Sequence, residues 1–331
     1  MDQGFFARGR RRAARDVRDQ FVDVWVPATV PDVTVLMPIF QQERFVAEAV
    51  TSILEQRDIA CEVLICDDNS SDRTFARTVN AISHFLKQST PSRQLEHTIR
   101  VRRNTVTRGR MNLHAMAAHA STPILVQAHG DDVSHSGRMR HIADAFADPS
   151  VTFVASAMQI MNESGEIDPG ATVNAPDGPI AALTALSRPP WMIGACEGWH
   201  ASLLTDGVPL DMEYAPVAHD RILGLRAALR GGAVGISLPL VTRRIHDGQW
   251  FRHLSDTSSP ATGAHGLALQ QTMIFGTMLD EIKAAKAAGL ITSSEAREYR
   301  SYCEERLDAC NREMRKYAGQ LIADGRRLVW K

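Results

Sequence analysis

No hydrophobic run in these 331 residues approaches the ~18 that a membrane-crossing helix needs. The N-terminus also lacks the apolar stretch of a secretory signal, which predicts a cytoplasmic chain. Cysteine is scarce: Cys61, Cys66, Cys196, Cys303 and Cys310 are odd in number and include no CxxC pair. That excludes a disulfide framework and fits reduced thiols used as core filler. Neither sign of charge is in excess, with 37 Lys and Arg against 38 Asp and Glu. Without a basic field to neutralise phosphates, nucleic acid is excluded as a partner. Internal repeats and low-complexity tracts are absent as well.

What is present is enough apolar material, 44% of residues, for one large core or two modest ones, an enzyme-sized globule. One local asymmetry stands out: Arg8, Arg10, Arg11, Arg12, Arg15 and Arg18 lie close to Phe5 and Phe6. Such a segment could touch an anionic membrane surface from the cytoplasmic side. Pairing of these arginines with Asp16, Asp19 and Asp23 on an exposed helix or leader is the simpler expectation.

From Val33 short β-type runs alternate with helix-period segments, which predicts a mostly parallel sheet covered by helices. VTVLMP (33–38) reads as a strand, and Val46, Val50, Ile53 and Leu54 share one face of the helix that follows. EVLIC (62–66) is a buried strand running into DDNSSD (67–72), whose serines can cap a helix carrying Phe75, Val79, Ile82 and Leu86. Strands near 98–102 and 124–128 flank a helix through Leu113, Met116 and Ala120. A further helix (138–146) and strand (151–160) precede a Gly- and Pro-bearing stretch from Asn162 to Pro190, where the pattern loosens. From His265 onward the composition is helical, and residues 281–331 read as two packed helices or a partner-binding arm.

Three predicted loops follow strand C-termini, the edge where open α/β sheets bind ligands. In the first, Pro38 and Phe40 stand where an aromatic can stack on a base or simply cover the core. The second is Asp67-Asp68-Asn69, whose carboxylates can accept hydrogen bonds from a base or ribose, or can brace a turn. The third, Asp131-Asp132, is sharper. Two adjacent carboxylates ending an apolar strand repel each other and need a cation or hydrogen-bond donors. Hard oxygen ligands favour Mg²⁺ or Mn²⁺, especially where a diphosphate supplies the remaining oxygens.

Taken together, VTVLMPIFQQERFVAEAVTSILEQ, EVLICDDNSSDRT and NTVTRGRMNLHAMAAHASTPILVQAHGDDVSHSGRM closely resemble the inverting family 2 glycosyltransferases of the GT-A fold, over roughly residues 33–250. The resemblance implies a nucleotide-sugar-binding α/β fold, a mostly parallel sheet flanked by helices with a C-terminal helical extension. It divides the chain into a basic segment (1–30), a catalytic domain (31–255, with a nucleotide-binding half to 150 and an acceptor-binding half beyond it) and a helical region (256–331). Transfer of a sugar from a nucleotide-diphosphate donor, by expectation a UDP-sugar, to a glycan or lipid-linked glycan is implied too, as in polysaccharide biosynthesis. Carried over by position, Pro38 and Phe40 border the base, Asp68 receives the pyrimidine N–H, Asp131 approaches the ribose, and Asp132 holds Mn²⁺ or Mg²⁺.

In VAHDRILGLRAALRGG, Asp220 matches the family's catalytic base, and in LPLVTRRIHDGQW Arg244 and His246 become candidates for diphosphate or metal contact. Arg108 and Arg110 match a less regular basic position that could screen phosphate charge. The chain departs from the pattern twice. His129 stands where many members have the first Asp of an Asp-x-Asp-Asp run, and His219 replaces the Glu of the usual Glu-Asp pair. Capping of the following helix is the plainer role for Asp220. The competing functions are a nucleotide- or glycan-binding relative that transfers nothing and a phosphohydrolase using Asp67-Asp68. The missing Asp-x-Asp nucleophile counts against the second.

Overall fold

The computed structural model describes residues 19–88, 97–109, 111–187, 189–208, 219–249 and 260–323. The arginine-rich leader up to Arg18 and the candidate Arg110 lie outside the described residues. Among the described residues eleven strands form one sheet: β1 (Val22–Trp25), β2 (Val33–Ile39), β3 (Cys61–Asp67), β4 (His97–Arg103), β5 (Ile124–Gln127), β6 (Val133–Ser134), β7 (Phe153–Met161), β8 (Ile167–Val173), β9 (Gly178–Pro179), β10 (Glu197–His200) and β11 (Ala233–Arg244). Their order is β1-β4-β3-β2-β5-β10-β7-β11-β6, with β8 added to β7 and β9 to β11. The pairings of β2 with β3, β3 with β4, β2 with β5 and β7 with β11 are parallel, while β1, β6, β8, β9 and β10 join antiparallel.

Eight helices accompany the strands among the described residues: α1 (Val46–Leu54), α2 (Thr74–Gln88), α3 (Met111–Ala117), α4 (Arg138–Ala145), α5 (Ala182–Ser187), α6 (His219–Ala228), α7 (Pro260–Ala287) and α8 (Ser293–Ala323). The expected mostly parallel sheet flanked by helices, with a C-terminal helical extension, is therefore present. Side chains on β2 alternate between two cores, as period-2 geometry requires. Val33, Val35, Met37 and Ile39 pack with Ile53, Ile82 and Ile142 of α1, α2 and α4. Leu36 turns to the opposite face, into a cluster with Leu113, Phe153, Trp199, Leu223 and Met278. Cys61, Cys66, Cys196 and Cys303 are buried free thiols, and Cys310 of α8 is a partly buried one. Burial pushes the Cys66 and Cys196 thiols up to about 12, which keeps them protonated and inert.

The strand order places the site. After β2 the chain moves outward to β3 and β4, then crosses back to put β5 on the other side of β2. The loops leaving β2 and β5 therefore part in opposite directions and open a crevice at the carboxyl edge. The irregular stretch from Asn162 to Pro190 holds β8, which folds back on β7, together with β9 and α5.

Helices α7 and α8 pack as a pair, and α7 begins at Pro260, five residues before the expected start. Ile274, Phe275 and Met278 of α7, with Tyr299 and Cys303 of α8, join the same core as α6. An ion pair between Arg226 of α6 and Glu281 of α7, both almost wholly buried, ties the extension to the sheet domain. The same guanidinium also donates to the carbonyls of Leu203 and Val208. Glu281→Gln keeps the shape but removes the counter-charge, and is expected to cost about 1.5–3 kcal/mol in urea denaturation. A change below about 0.5 kcal/mol would show that the pair contributes nothing to holding α7 in place.

Candidate active site

Three loops meet at the crevice and brace one another. Gln41, in the left-handed region at φ 53°, donates from its N–H to Ser70 Oγ at 3.0 Å and from Nε2 to Ser71 Oγ at 2.8 Å. Gln42 N–H donates to Thr74 Oγ1 (2.7 Å), and Glu43 N–H to Asp72 Oδ2 (3.1 Å). This corrects the capping expectation: the serines of DDNSSD hold the neighbouring loop, and Asp72 caps α2 by accepting from Thr74 N–H at 2.9 Å. Gly130 permits the third loop to close on the first. A Cβ there would lie 2.3 Å from Gln42 Oε1 and 2.8 Å from Ile39 Cγ2.

Pro38 lies on β2, and Phe40, 44% exposed just beyond it, leaves an aromatic face at the crevice. Asp68 is buried, and its carboxylate accepts from Asn104 Nδ2 (2.7 Å), Arg108 N–H (2.9 and 3.1 Å) and Gly109 N–H (2.7 Å). It thus shapes the loop after β4, an engagement that the sequence did not reveal. Arg108 is held by its backbone there, while its partly exposed guanidinium stands 3.8 Å from Asp19. The adjacent Asp67 binds Arg103 Nε at 3.1 Å through Oδ2 and leaves Oδ1 buried without a hydrogen bond. Desolvation raises its pKa above the ordinary value.

At the end of β5, ligand atoms of His129, Asp131 and Asp132 all lie within 4.8 Å of one another. Asp132 is buried: Oδ1 accepts from Arg244 N–H at 2.9 Å, and Oδ2 stands 3.3 Å from His129 Nδ1. Asp131 Oδ2 contacts His246 Nε2 at 3.0 Å. Desolvation pushes the Asp131 carboxyl up, yet the bond from His246 and the charges of His129 and His246 outweigh it and hold the group below its usual range. Burial pulls His129 down in the same way, and its bond to Asp132 with the charges of Asp132 and Asp131 reverses the sign, so its pKa is raised. Carboxylates and imidazoles thus alternate through the cluster.

Arg244 is buried and fully engaged. Its side chain donates to the carbonyls of Asp131 (3.2 Å) and Glu163 (3.2 Å), pairs with Glu48 at 2.5 Å and lies 4.9 Å over the Phe45 ring. Through its backbone N–H and its Nε it positions the Asp131-Asp132 turn. His246 packs on the same Phe45 ring at 4.6 Å between centroids. Asp220 is the second residue of α6, part-buried, and its Oδ1 accepts from the N–H of the next residue, Arg221, at 2.9 Å. Its helix returns through the four residues 229–232 into β11, so its N-terminus points toward the sheet edge where β11 ends.

Residues that the sequence did not single out complete the support. Arg138 of α4, 1% exposed, donates to Gln127 carbonyl (2.7 Å), Ser134 Oγ (2.9 Å) and Ala195 carbonyl (2.7 Å), gripping the acidic turn on both sides. Gln127 meets His129 Nε2 at 2.9 Å. An arginine inside an amphipathic helix reads as solvent-facing, and only the strand packing reveals that this one is buried.

With this geometry in view, residues 34–191 match the model of Glycosyl transferase family 2. The match spans somewhat less than half of the chain. EpsE of Bacillus subtilis (strain 168), which bears the name of a glycosyltransferase, is 26% identical over 136 residues, 41% of this chain and 46% of EpsE. The chain thus matches less than half the length of that relative. Among solved structures, S. aureus TarS 1–349 in complex with UDP superposes with a TM-score of 0.49 at 13% identity, covering 90% of this chain and 93% of TarS 1–349. The mannosyltransferase PcManGT of Pyrobaculum calidifontis, in complex with GDP-Man and Mn²⁺, gives 0.49 at 15% identity, with 96% and 87% covered. The family 2 match contains Pro38, Phe40, Asp68, Arg108, Asp131 and Asp132, and ends before Asp220, Arg244 and His246. Tertiary structure alone brings the last two to the acidic turn.

Proposed function

We propose that this family 2 domain is an inverting glycosyltransferase that moves a sugar from a nucleotide-diphosphate donor, a UDP-sugar, to a hydroxyl of a glycan or lipid-linked glycan. The observation that carries this reading is the His129, Asp131, Asp132 cluster at the end of β5, at the β2/β5 crevice. Two carboxylates and an imidazole, close together and at the edge of a family 2 fold, fit a divalent ion such as Mn²⁺ or Mg²⁺. When bound, such an ion supplies charge to the leaving diphosphate. Phe40 and Pro38 flank the base, and Arg244 and His246 hold the acidic turn from behind. Asp220 accepts the proton of the acceptor hydroxyl as it attacks the anomeric carbon from the face opposite the diphosphate, which gives inversion. In this reading residues 31–150 bind the nucleotide, 151–255 shape the acceptor side, and 256–331 buttress α6.

Among the described residues no helix is long and apolar enough to cross a membrane. Contact of the arginine-rich leader with a cytoplasmic membrane face is part of the same proposal, since a lipid-linked acceptor would lie there.

A melting-temperature screen of nucleotide sugars with and without Mn²⁺ tests the reading. A UDP-sugar at 100 times its Kd should add about 2.7 kcal/mol of stability, and only when the ion is present. Absence of any nucleotide effect under both conditions would overturn it. For Asp68, base binding requires that the carboxylate exchange one of its loop donors for the pyrimidine N–H. Asp68→Ala is expected to weaken UDP roughly ten- to a hundredfold by calorimetry. It should also lower the melting temperature, because Asn104, Arg108 and Gly109 lose their acceptor. Unchanged UDP affinity with a lowered melting temperature would leave Asp68 a loop brace only.

A further inference from the structure

We infer that His129 is a nitrogen ligand oriented by Gln127, and that it tunes the ion site toward Mn²⁺ and Co²⁺ and away from Mg²⁺. The inference rests on the metal reading above and names which ions the site selects. Its first support is orientation. The imidazole turns Nδ1 toward Asp132 Oδ2, 3.3 Å away, inside the set of ligand atoms that lie within 4.8 Å of one another. The opposite nitrogen, Nε2, is held at 2.9 Å by the side-chain amide of Gln127.

Gln127 is itself fixed. It is the last residue of β5, 5% exposed, and its amide fills the space beside Gly194, where a Cβ would come within 2.6 Å of its oxygen and 2.8 Å of its nitrogen. A glutamine amide offers a donor at one atom and an acceptor at the other. Gln127 presents Nε2 to the ring; a half-turn of the amide about its terminal bond, which exchanges O and N in the same space, makes Oε1 the acceptor of His129 Nε2–H and would leave the Nδ1 lone pair for an ion. A hydrogen bond of this kind to the distal nitrogen sets the tautomer and ring angle of a metal-bound histidine.

The second support is the chemistry of the donor set. Mg²⁺ demands oxygen ligands in near-ideal octahedral geometry, whereas imidazole favours later divalent ions, with affinity rising from Mn²⁺ to Co²⁺. An all-carboxylate turn would leave Mg²⁺ competitive. Here one of three close ligands is nitrogen, and a second imidazole, His246, stands 3.0 Å from Asp131 Oδ2.

The test is calorimetry of the full chain with Mn²⁺, Co²⁺ and Mg²⁺ separately, together with the visible absorption of the Co²⁺ form, which responds to a nitrogen ligand. The wild type is expected to bind Mn²⁺ and Co²⁺ at least about tenfold more tightly than Mg²⁺. His129→Asp should lower that preference about tenfold and alter the Co²⁺ spectrum. His129→Gln, which adds no charge, should show the same loss if a third carboxylate prevents folding. Gln127→Leu should weaken Mn²⁺ and Co²⁺ about tenfold through loss of ring orientation. Equal wild-type affinity for Mg²⁺ and Mn²⁺, or an unchanged preference in both His129 variants, would overturn the assignment of His129 while leaving a metal site in place. A wild type that binds none of the three ions would overturn the metal reading and this inference with it.

Discussion

Asp132→Asn is expected to abolish ion-dependent turnover of the donor while leaving the fold intact. The side chain is buried, and its Oδ1 accepts from the backbone N–H of Arg244 across the junction between β5 and β11. Asparagine keeps that acceptor and the same volume, so the junction should survive. What it loses is the negative charge on Oδ2, which faces His129 and which the proposed function turns to the ion. Removing a charged ligand costs far more than removing a neutral hydrogen bond, because the charge acts where water is largely excluded. The check is donor hydrolysis and transfer with and without chelator, alongside the melting curve. Wild-type turnover by the variant, or indifference of the wild type to chelator, would remove the ion from the mechanism.

Replacing Asp220 by Asn should slow sugar transfer by about 10²–10⁴-fold, with donor affinity and melting temperature nearly unchanged. A sugar hydroxyl is a poor nucleophile until its proton is accepted, and a carboxylate can take that proton in the transition state without a strongly raised pKa. The structure sharpens the comparison, since the Asp220 carboxylate accepts from Arg221 N–H in the first turn of α6. Asparagine is as good a cap as aspartate, so a purely capping role predicts near-normal transfer. Helix α6 is anchored independently, through Arg221 Nη1 on Gln271 Oε1 at 2.7 Å and through the Arg226–Glu281 pair. A large loss of rate could therefore not be ascribed to a displaced helix. Transfer close to the wild-type rate would place the base elsewhere between residues 194 and 246.

Much of this architecture was legible before any coordinate. The strands β2, β3, β5 and β7 and helices α1, α2 and α4 fall within a few residues of their expected bounds, because fully buried strands and one-faced helices leave strong periodic signatures. The Asp131-Asp132 pair was legible for a different reason: adjacent carboxylates closing an apolar strand have no cheap structural explanation. The capping of α2 was misread, since a serine near a helix start offers the same oxygen to its own helix or to a neighbouring loop. Sequence distance cannot say which N–H arrives. Here Gln41 arrives from 29 residues away.

Chemistry carried by residue type and local order was thus determined by the sequence itself: the sheet, the crevice edge, the acidic turn and the motifs similar to those of family 2. Tertiary structure alone decided who supports that turn. Arg244 and His246 reach it from more than a hundred residues downstream, through the pairing of β11 with β6. Arg138 and Gln127 are assigned to it by burial that no local pattern announces. The physical reason is that a partner across a sheet is chosen by strand order and register, which depend on the whole chain packing at once, whereas a strand or a helix is chosen by its own few residues.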